Sequence, residues 1–438
     1  MSAILGIVIG LLSLGLMMLL HELGHFLVGL KLGFKIIEFS IFMGPRLLSK
    51  EINGIRYSLK LLPIGASVQF AGEYPESDEE LQESSDSEGH FYFMPIWKRA
   101  LVLFAGPFTN IVSAFLALII YFNIVGVNTS KLVAVQENSL LHEAGVSQGD
   151  LIKTIDGRKI RNELDLLSLE LLSAGKKDFT VEFINSSGED KQVTIDRTGY
   201  DRYSLGVVID SQTEQGQVLV KSLAENSVEG IEAGDIIKKI NSQPADAKTI
   251  ADILGASKGK EVELELERNG KSLSLKVSPI VSSNVTRPVG AEFERIKSPI
   301  QTIKYSFDYS VSIVRSTFEI LGRVITGGVK PSQALSGPVG IVDMYSGLVA
   351  APSIDWELKF LQLLYLFALI SMSLGIMNLL PIPPLDGSHL FFLIIEKIRG
   401  KKLSVKAMGI ISMIGISLIL LLAFASLGFD VLRIVKRG

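Results

Sequence analysis

Apolar residues gather into long, nearly chargeless blocks toward the two ends of this chain, with an ordinary mixed pattern between them. The first block, Ala3 to Leu20, holds no ionisable residue. A second covers about Ala100 to Ile124, a third about Leu358 to Leu380 and a fourth about Ala407 to Leu427. About 20 helical residues cross a ~30 Å hydrocarbon layer, so each block predicts a transmembrane helix. The N-terminal block lacks the basic start and small-residue cleavage site of a secretory signal, which favours a retained span over 1–30. The expected spans are 1–30, 100–125, 358–395 and 405–428.

The intervals have patterns of their own. Residues 31–99 form a mixed loop. Within it Ile55–Gly72 reads as two short strands around Pro63 and Gly65, a hairpin-like loop. Glu73–Gly89 is acidic and serine-rich, as a solvated excursion would be. His90 after it reads as an exposed loop histidine. From 127 to 290 the chain repeats itself. Gly149-Asp150-Leu151-Ile152 is echoed by Gly234-Asp235-Ile236-Ile237, 85 residues on. Each copy predicts a short strand, a helical stretch (164–174; 247–256) and then alternating strands. Glu261–Glu267 alternates glutamate with Val262, Leu264 and Leu266, so one strand face is wet and the other buried. The repeat resembles tandem PDZ domains, over 127–203 and 204–290. Finally, residues 298–357 read as an amphipathic helix and linker. Ser298-Pro299 is the start signal, and Ile303, Phe307, Val311, Val314, Phe318, Leu321 and Ile325 form a single apolar stripe. Periodicity leaves open whether that stripe lies on a membrane or packs on the PDZ pair. The expected fold class is therefore a polytopic α-helical membrane protein with four transmembrane helices, carrying two α+β PDZ-like domains between the second and third spans.

Charge orients this arrangement. Lys31, Lys35, Arg46, Lys50, Arg56, Lys60, Lys98 and Arg99 lie in loop 31–99. Lys397, Arg399, Lys401, Lys402 and Lys406 surround the loop at 396–406. Four spans place both loops on one side, which the excess of cations makes cytoplasmic. Arg433, Lys436 and Arg437 argue the other way, more weakly. The formal net charge of −3 gives no sign of a nucleic-acid partner, and the absence of cysteine excludes disulfides and Cys-type zinc sites.

Any metal must then be held by His, Asp or Glu. Two of the five histidines stand in His21-Glu22-Leu23-Gly24-His25. At i and i+4 they share a helix face and can bind one zinc ion, with Glu22 as proton acceptor. Such a pattern can arise by chance on a surface helix. Here it abuts a chargeless block, and ionisable groups at membrane depth are costly unless they work. Catalytic zinc takes three protein ligands and keeps one position open. Two candidates for the third follow the third span, Asp386 and His389, beyond a run of prolines that no continuous helix tolerates. Unravelled backbone at membrane depth is tolerated only against protein or a wet cavity.

HELGH in a first span together with Asn378-Leu379-Leu380-Pro381-Ile382-Pro383-Pro384-Leu385-Asp386-Gly387 in a later one resembles the signature of site-2 proteases, peptidase family M50. With two PDZ-like copies between spans two and three, the chain looks like the bacterial regulator-of-sigma-E type. The resemblance covers nearly the whole chain. It implies that His21, His25 and Asp386 bind Zn2+, with Asp386 preferred to His389, and that Glu22 is the catalytic base. It implies substrate-positioning roles for Asn378, Pro381, Pro383 and, in the Gly106-Pro107…Asn110 motif, Asn110. Leu335–Gly340 looks like the family's segment before the third span, and Ile55–Gly72 sits where the family has a membrane-associated β-hairpin that pairs with substrate. Many relatives have glycine where Ser388 stands, a mild departure. The implied activity is cleavage of single-span membrane proteins, such as an anti-sigma factor already cut once outside, or leftover signal peptides. The implied setting is the bacterial inner membrane, with the N-terminus and PDZ-like domains periplasmic. Those domains would capture peptide termini or, as the resemblance favours, exclude bulky substrates. The competing class is a catalytically idle scaffold that presents the PDZ-like pair. It must treat a complete ligand set and base as relics.

Overall fold

The computed structural model describes residues 2–73, 88–136, 139–166, 178–196, 200–210, 218–224, 227–285, 290–329, 331, 337–351, 354–401 and 404–435. The acidic stretch after Glu73, most of the first repeat's expected helix and Leu335-Ser336 lie outside these residues. The chain divides into two compact units, one of residues 1–129, 161–172 and 294–438, the other of 130–160 and 173–293.

The first unit is mainly helical: α1 (Ser2–Leu32), α2 (Ile96–Val125), α3 (Pro299–Ile325), α4 (Pro338–Ala350), α5 (Trp356–Asn378), α6 (Asp386–Arg399) and α7 (Val405–Val435). Among the described residues, Ile4–Leu32, α2 and α5 are long and apolar enough to cross a membrane. The fourth expected span falls within α7. The interval expected to be linker contains α4, which runs along α1, where Ser13 Oγ–H donates to Tyr345 Oη at 2.7 Å.

Two long strands follow α1, β1 (Ile36–Ile52) and β2 (Ile55–Phe70). They pair with each other in two registers: Phe39 faces both Tyr57 and Val68, and Ile41 faces both Leu59 and Ala66. The first half of β1 is therefore flanked on both sides by β2, which doubles back near Gly65, at φ +81°. Pro63 and Gly65 thus mark a fold within one strand. Residues 66–70 form an edge, since no third strand joins the sheet among the described residues. Phe39, Ile55 and Phe70 pack with Phe26, Val102, Leu103 and Leu393 into one core, which seats the sheet against α1, α2 and α6. Glu38, buried in β1, accepts from the Arg46 guanidinium at 2.6 and 3.2 Å, and that guanidinium holds its carboxyl down at about 2. His90 is half-buried beside Gly72, not exposed, because Phe91 and Tyr92 donate their backbone N–H groups to Ala71 and Gly72 and draw it in.

α3 resolves the direction its pattern left open. Its apolar stripe points outward, with Ile303, Phe307, Phe318 and Ile325 all exposed. The face it buries is tyrosine and serine: Tyr305, Ser306, Tyr309, Ser312 and Ser316. Tyr305, Tyr309 and Ile313 pack on Ala114, Leu118 and Phe122 of α2 and on Ala368 and Met372 of α5. The hydroxyls of Tyr309 and Tyr365 bond each other, and Asn162 Nδ2 donates to Ser312 Oγ at 3.0 Å. Small serines let the helix approach closely, and Ser312 Oγ–H also donates to the Asp308 carbonyl at 3.1 Å, while the buried Ser306 Oγ has no hydrogen-bond partner among the described residues. Ser298 is the N-cap residue, but its hydroxyl makes no cap bond.

The second unit carries the repeat as two sheets of matching order. β3 (Val127–Val135), β4 (Leu151–Ile155), β5 (Asp178–Ile184) and β6 (Asp190–Asp196) are neighbours in that sequence. So are β7 (Val218–Leu223), β8 (Ile236–Ile240), β9 (Val262–Arg268) and β10 (Lys271–Val277). The repeated aspartates do the same work in both copies. Asp150 Oδ2 accepts from Ser147 N–H at 2.9 Å and Asp235 Oδ2 from Glu232 N–H at 2.8 Å, closing the turn before β4 and β8. Val262, Leu264 and Leu266 alternate into the second core as their pattern implied. The strand Tyr200–Ser204 pairs with Ile280–Val285, so the expected division at 203/204 cuts through a strand of the second domain.

One ion pair holds α6 to α2. Arg99, at the start of α2, makes a two-pronged contact with Glu396 at 2.6 and 3.1 Å, and both side chains are nearly buried. Removing one partner leaves a buried charge alone, which costs about 3–5 kcal/mol, whereas an apolar pair of similar volume is close to neutral. Glu396→Ala is expected to lower thermal stability in detergent by that order, and Arg99→Met with Glu396→Leu to recover most of it.

Candidate metal centre

Residues 361 positions apart meet at one point. His21 and His25, one turn apart on α1, turn their Nε2 atoms toward each other at 3.1 Å. Asp386, first residue of α6, brings Oδ2 to 3.0 Å from His21 Nε2 and 3.5 Å from His25 Nε2. These are the atoms expected of a tetrahedral zinc site, in which bonds of about 2.0–2.1 Å put ligand atoms about 3.3 Å apart. Among the described residues, His21, His25 and Asp386 are the group able to hold a metal ion. His389 stands outside it and packs its ring edge-on to Phe392. The three ligand candidates are mostly buried, and the Asp386 side chain keeps 20% of its surface exposed, so the point is not sealed.

The surroundings fit a metal as well as the donors do. A ring that ligates through Nε2 carries its hydrogen on Nδ1, which then needs an acceptor. His25 Nδ1 lies 2.8 Å from the Val102 carbonyl of α2. That approach needs a residue without Cβ at Gly106, where a Cβ would run into the His25 ring. The side-chain amides of Asn110 and Asn378 come to 3.5 and 3.4 Å of His21 Nδ1. Among the described residues the buried Asn110 Oδ1 has no hydrogen-bond partner, so turning that amide end for end gives His21 Nδ1–H its acceptor.

Asp386 reaches the histidines because the chain breaks before it. α5 ends at Asn378, residues 379–385 form irregular turns through Pro381, Pro383 and Pro384, and α6 restarts at Asp386. Pro381 is exposed and Pro383 half-buried; the Pro383–Pro384 bond is cis. Gly387 packs directly on the backbone of Leu379 and Leu380, where a Cβ has no room. Ser388 is buried and donates its hydroxyl to the Leu385 carbonyl at 2.8 Å.

Glu22 points to the strand edge. Its Oε2 accepts from Val68 N–H of β2 at 2.9 Å. Two residues further along that edge, Phe70 N–H donates to Glu73 Oε2 at 3.4 Å. Burial pushes the Glu73 carboxyl up to about 7; Glu22 and Asp386 add to the rise, while Phe70 N–H and His25 pull it down. Sequence reasoning missed Val102, Val68 and Glu73, and placed neither asparagine against His21. Only Gly106-Pro107, a glycine and a proline inside an apolar span, hinted at a close approach.

The family described as "Peptidase family M50" matches residues 9–422. The chain is 30% identical over 454 residues to the regulator of sigma-E protease of Salmonella typhimurium, covering 97% of this chain and 98% of that one. It is equally similar to the Escherichia coli protein of that name, over 96% and 97%. A Clostridium perfringens protein named as a zinc metalloprotease is 27% identical over 419 residues, 94% of this chain and 95% of the relative.

Gly106→Ala separates packing at the centre from helix propensity. Propensity alone favours alanine in a helix by about 1 kcal/mol. Against that, the displaced His25 ring is expected to lower zinc affinity about 10- to 100-fold with helix content kept, as read by competition with a chelator.

Proposed function

This chain belongs to peptidase family M50 and is a zinc-dependent metalloprotease of a bacterial membrane; on that premise we propose that it is an intramembrane endopeptidase of the site-2 type. The observation that carries the reading is the meeting of two imidazoles on α1 with the carboxylate that follows the proline break after α5. α1 and α5 are both apolar enough to lie within a bilayer.

His21, His25 and Asp386 hold the zinc. When bound, zinc acidifies a water toward a pKa near ~7 and polarises a carbonyl oxygen. Glu22, adjacent to His21, takes the proton of the attacking water and returns it to the leaving amine. Asn110 is wholly buried, so it keeps the His21 ring oriented and leaves substrate to others. Asn378 shares that task from the end of α5. Pro381 and Pro383 interrupt the helix beside Asp386 and shape the wall along which substrate lies.

A substrate helix is a poor target, because its amides are bonded within the helix. The edge 66–70 of β2 solves this if the unwound segment adds as a strand, since strand addition satisfies the backbone on both sides. Glu22 on Val68 N–H supports the reading, for it puts the base at that edge.

The remaining features rest on the charge pattern and the family resemblance. Four spans, α7 being the fourth, leave the N-terminus and both sheet domains periplasmic and loops 31–99 and 396–406 cytoplasmic, in the inner membrane. The outward apolar stripe of α3 faces lipid. Substrates are single-span proteins of the anti-sigma-factor kind after a first cut outside, and remnant signal peptides. The sheet domains act as a filter against untrimmed substrates and can take up peptide termini. Relatives named for sigma-E regulation support this setting, an envelope stress response.

Glu22→Gln tests the enzyme reading against an idle scaffold. The variant is expected to keep one zinc per chain and to lose turnover of a single-span substrate by about 10²- to 10⁴-fold. Undiminished turnover removes Glu22 as the base.

A further inference from the structure

The edge at 66–70 is already occupied. Along a strand, successive N–H groups alternate sides, so the amides of 66, 68 and 70 face one way and those of 67, 69 and 71 the other. Ala71 N–H donates inward to the Lys35 carbonyl at 2.8 Å. The outward amides of Val68 and Phe70 instead find carboxylates, Glu22 at 2.9 Å and Glu73 at 3.4 Å. Glu22 comes from α1. Glu73 comes from the chain just past the strand, where Gly72 turns at φ +66°. The turn is fastened by Phe91 N–H and Tyr92 N–H, which donate to the carbonyls of Ala71 and Gly72 at 2.8 and 3.3 Å. Two carboxylates from different places thus imitate the acceptors of an added strand, at the spacing such a strand would use.

We propose that Glu73 is a positioning residue for substrate: it caps the Phe70 amide in the resting enzyme and yields that amide to the backbone of the incoming segment. This deepens the strand-addition reading and rests on it. Substrate carbonyls and the two carboxylates compete for the same donors. At Val68 the exchange releases Glu22 to the water. At Phe70 it moves Glu73 aside, so Glu73 governs how readily the segment docks and does not touch the reacting atoms. Loss of the cap therefore changes docking more than chemistry, and a change confined to KM is the signature of binding shared by ground and transition states.

The test uses the full-length zinc-loaded protein in detergent and a synthetic single-span peptide carrying a fluorophore and quencher. Glu73→Ala is expected to lower KM about two- to tenfold, the worth of one net hydrogen bond, with kcat held. Glu73→Gln keeps an acceptor and is expected to return KM toward the wild-type value. Val68→Pro removes one outward amide while sparing the ladder to β1, as proline can at an edge. It is expected to lose cleavage with zinc content normal. If Val68→Pro cleaves like the wild type, strand addition fails and the Glu73 assignment with it. If Val68→Pro is inactive but Glu73→Ala has wild-type KM, or raises KM and lowers kcat together, strand addition stands and the role of Glu73 is overturned. Should Glu73→Ala fail to fold, Glu73→Leu, which keeps bulk and has no acceptor, decides alone: a KM lowered at constant kcat supports the cap, and an unchanged KM overturns it.

Discussion

Polar side chains placed among apolar helices must satisfy one another, because no solvent is at hand to do it for them. His21, His25 and Asp386 are the sharpest case, and much of the first unit can be understood as what their meeting demands. The α1 and α2 backbones approach closely enough for His25 to reach the Val102 carbonyl, which requires Gly106. α5 has to stop at Asn378 so that α6 can begin at Asp386, which the prolines enforce. α6 then has to stay put, and at its far end Glu396 is bound to Arg99 of α2. Each arrangement costs helix continuity or buries polar groups. Each is tolerable because the groups so placed are paired.

The sheet of β1 and β2 ties the centre to a place where a peptide can be held. Its hydrophobic face shares a core with α1, α2 and α6, and its free edge brings Val68 and Phe70 to the carboxylates of Glu22 and Glu73. An edge strand is ordinarily a liability that proteins blunt with charge or cover. Here the cover consists of Glu22, the proposed base, and Glu73, so in that proposal concealment and function are served by the same atoms. α3 shows a related economy: tyrosine and serine pack inward on α2 and α5 while the apolar side is turned out.

Local pattern made the donors of the centre legible. HELGH lies on one helix face wherever it is helical, and an aspartate after three prolines in an apolar segment stands out. The repeat was legible for the same reason, since Asp150 and Asp235 each close their own turn three residues back. What stayed hidden depends on chain segments far apart. Nothing in Ile55–Gly72 says that both halves of β2 will flank the first half of β1. The stripe on α3 was read correctly as a stripe, yet periodicity carries no sign that says which side is in. That was settled by where Tyr309 and Ser312 find partners, on Tyr365 and Asn162. Glu73 looked like the first residue of an acidic, solvated run, whereas the turn at Gly72 carries it back to the strand. The choice between Asp386 and His389 came from resemblance; in the fold Asp386 joins His21 and His25, whereas His389 packs on Phe392.

X-ray absorption at the zinc edge on the purified protein in detergent tests the central claim most directly. One zinc per chain is expected, coordinated by two imidazole nitrogens and light oxygen donors, with the signal lost in Asp386→Ala. A protein free of zinc, or a zinc shell unchanged in Asp386→Ala, would contradict a centre assembled from His21, His25 and Asp386.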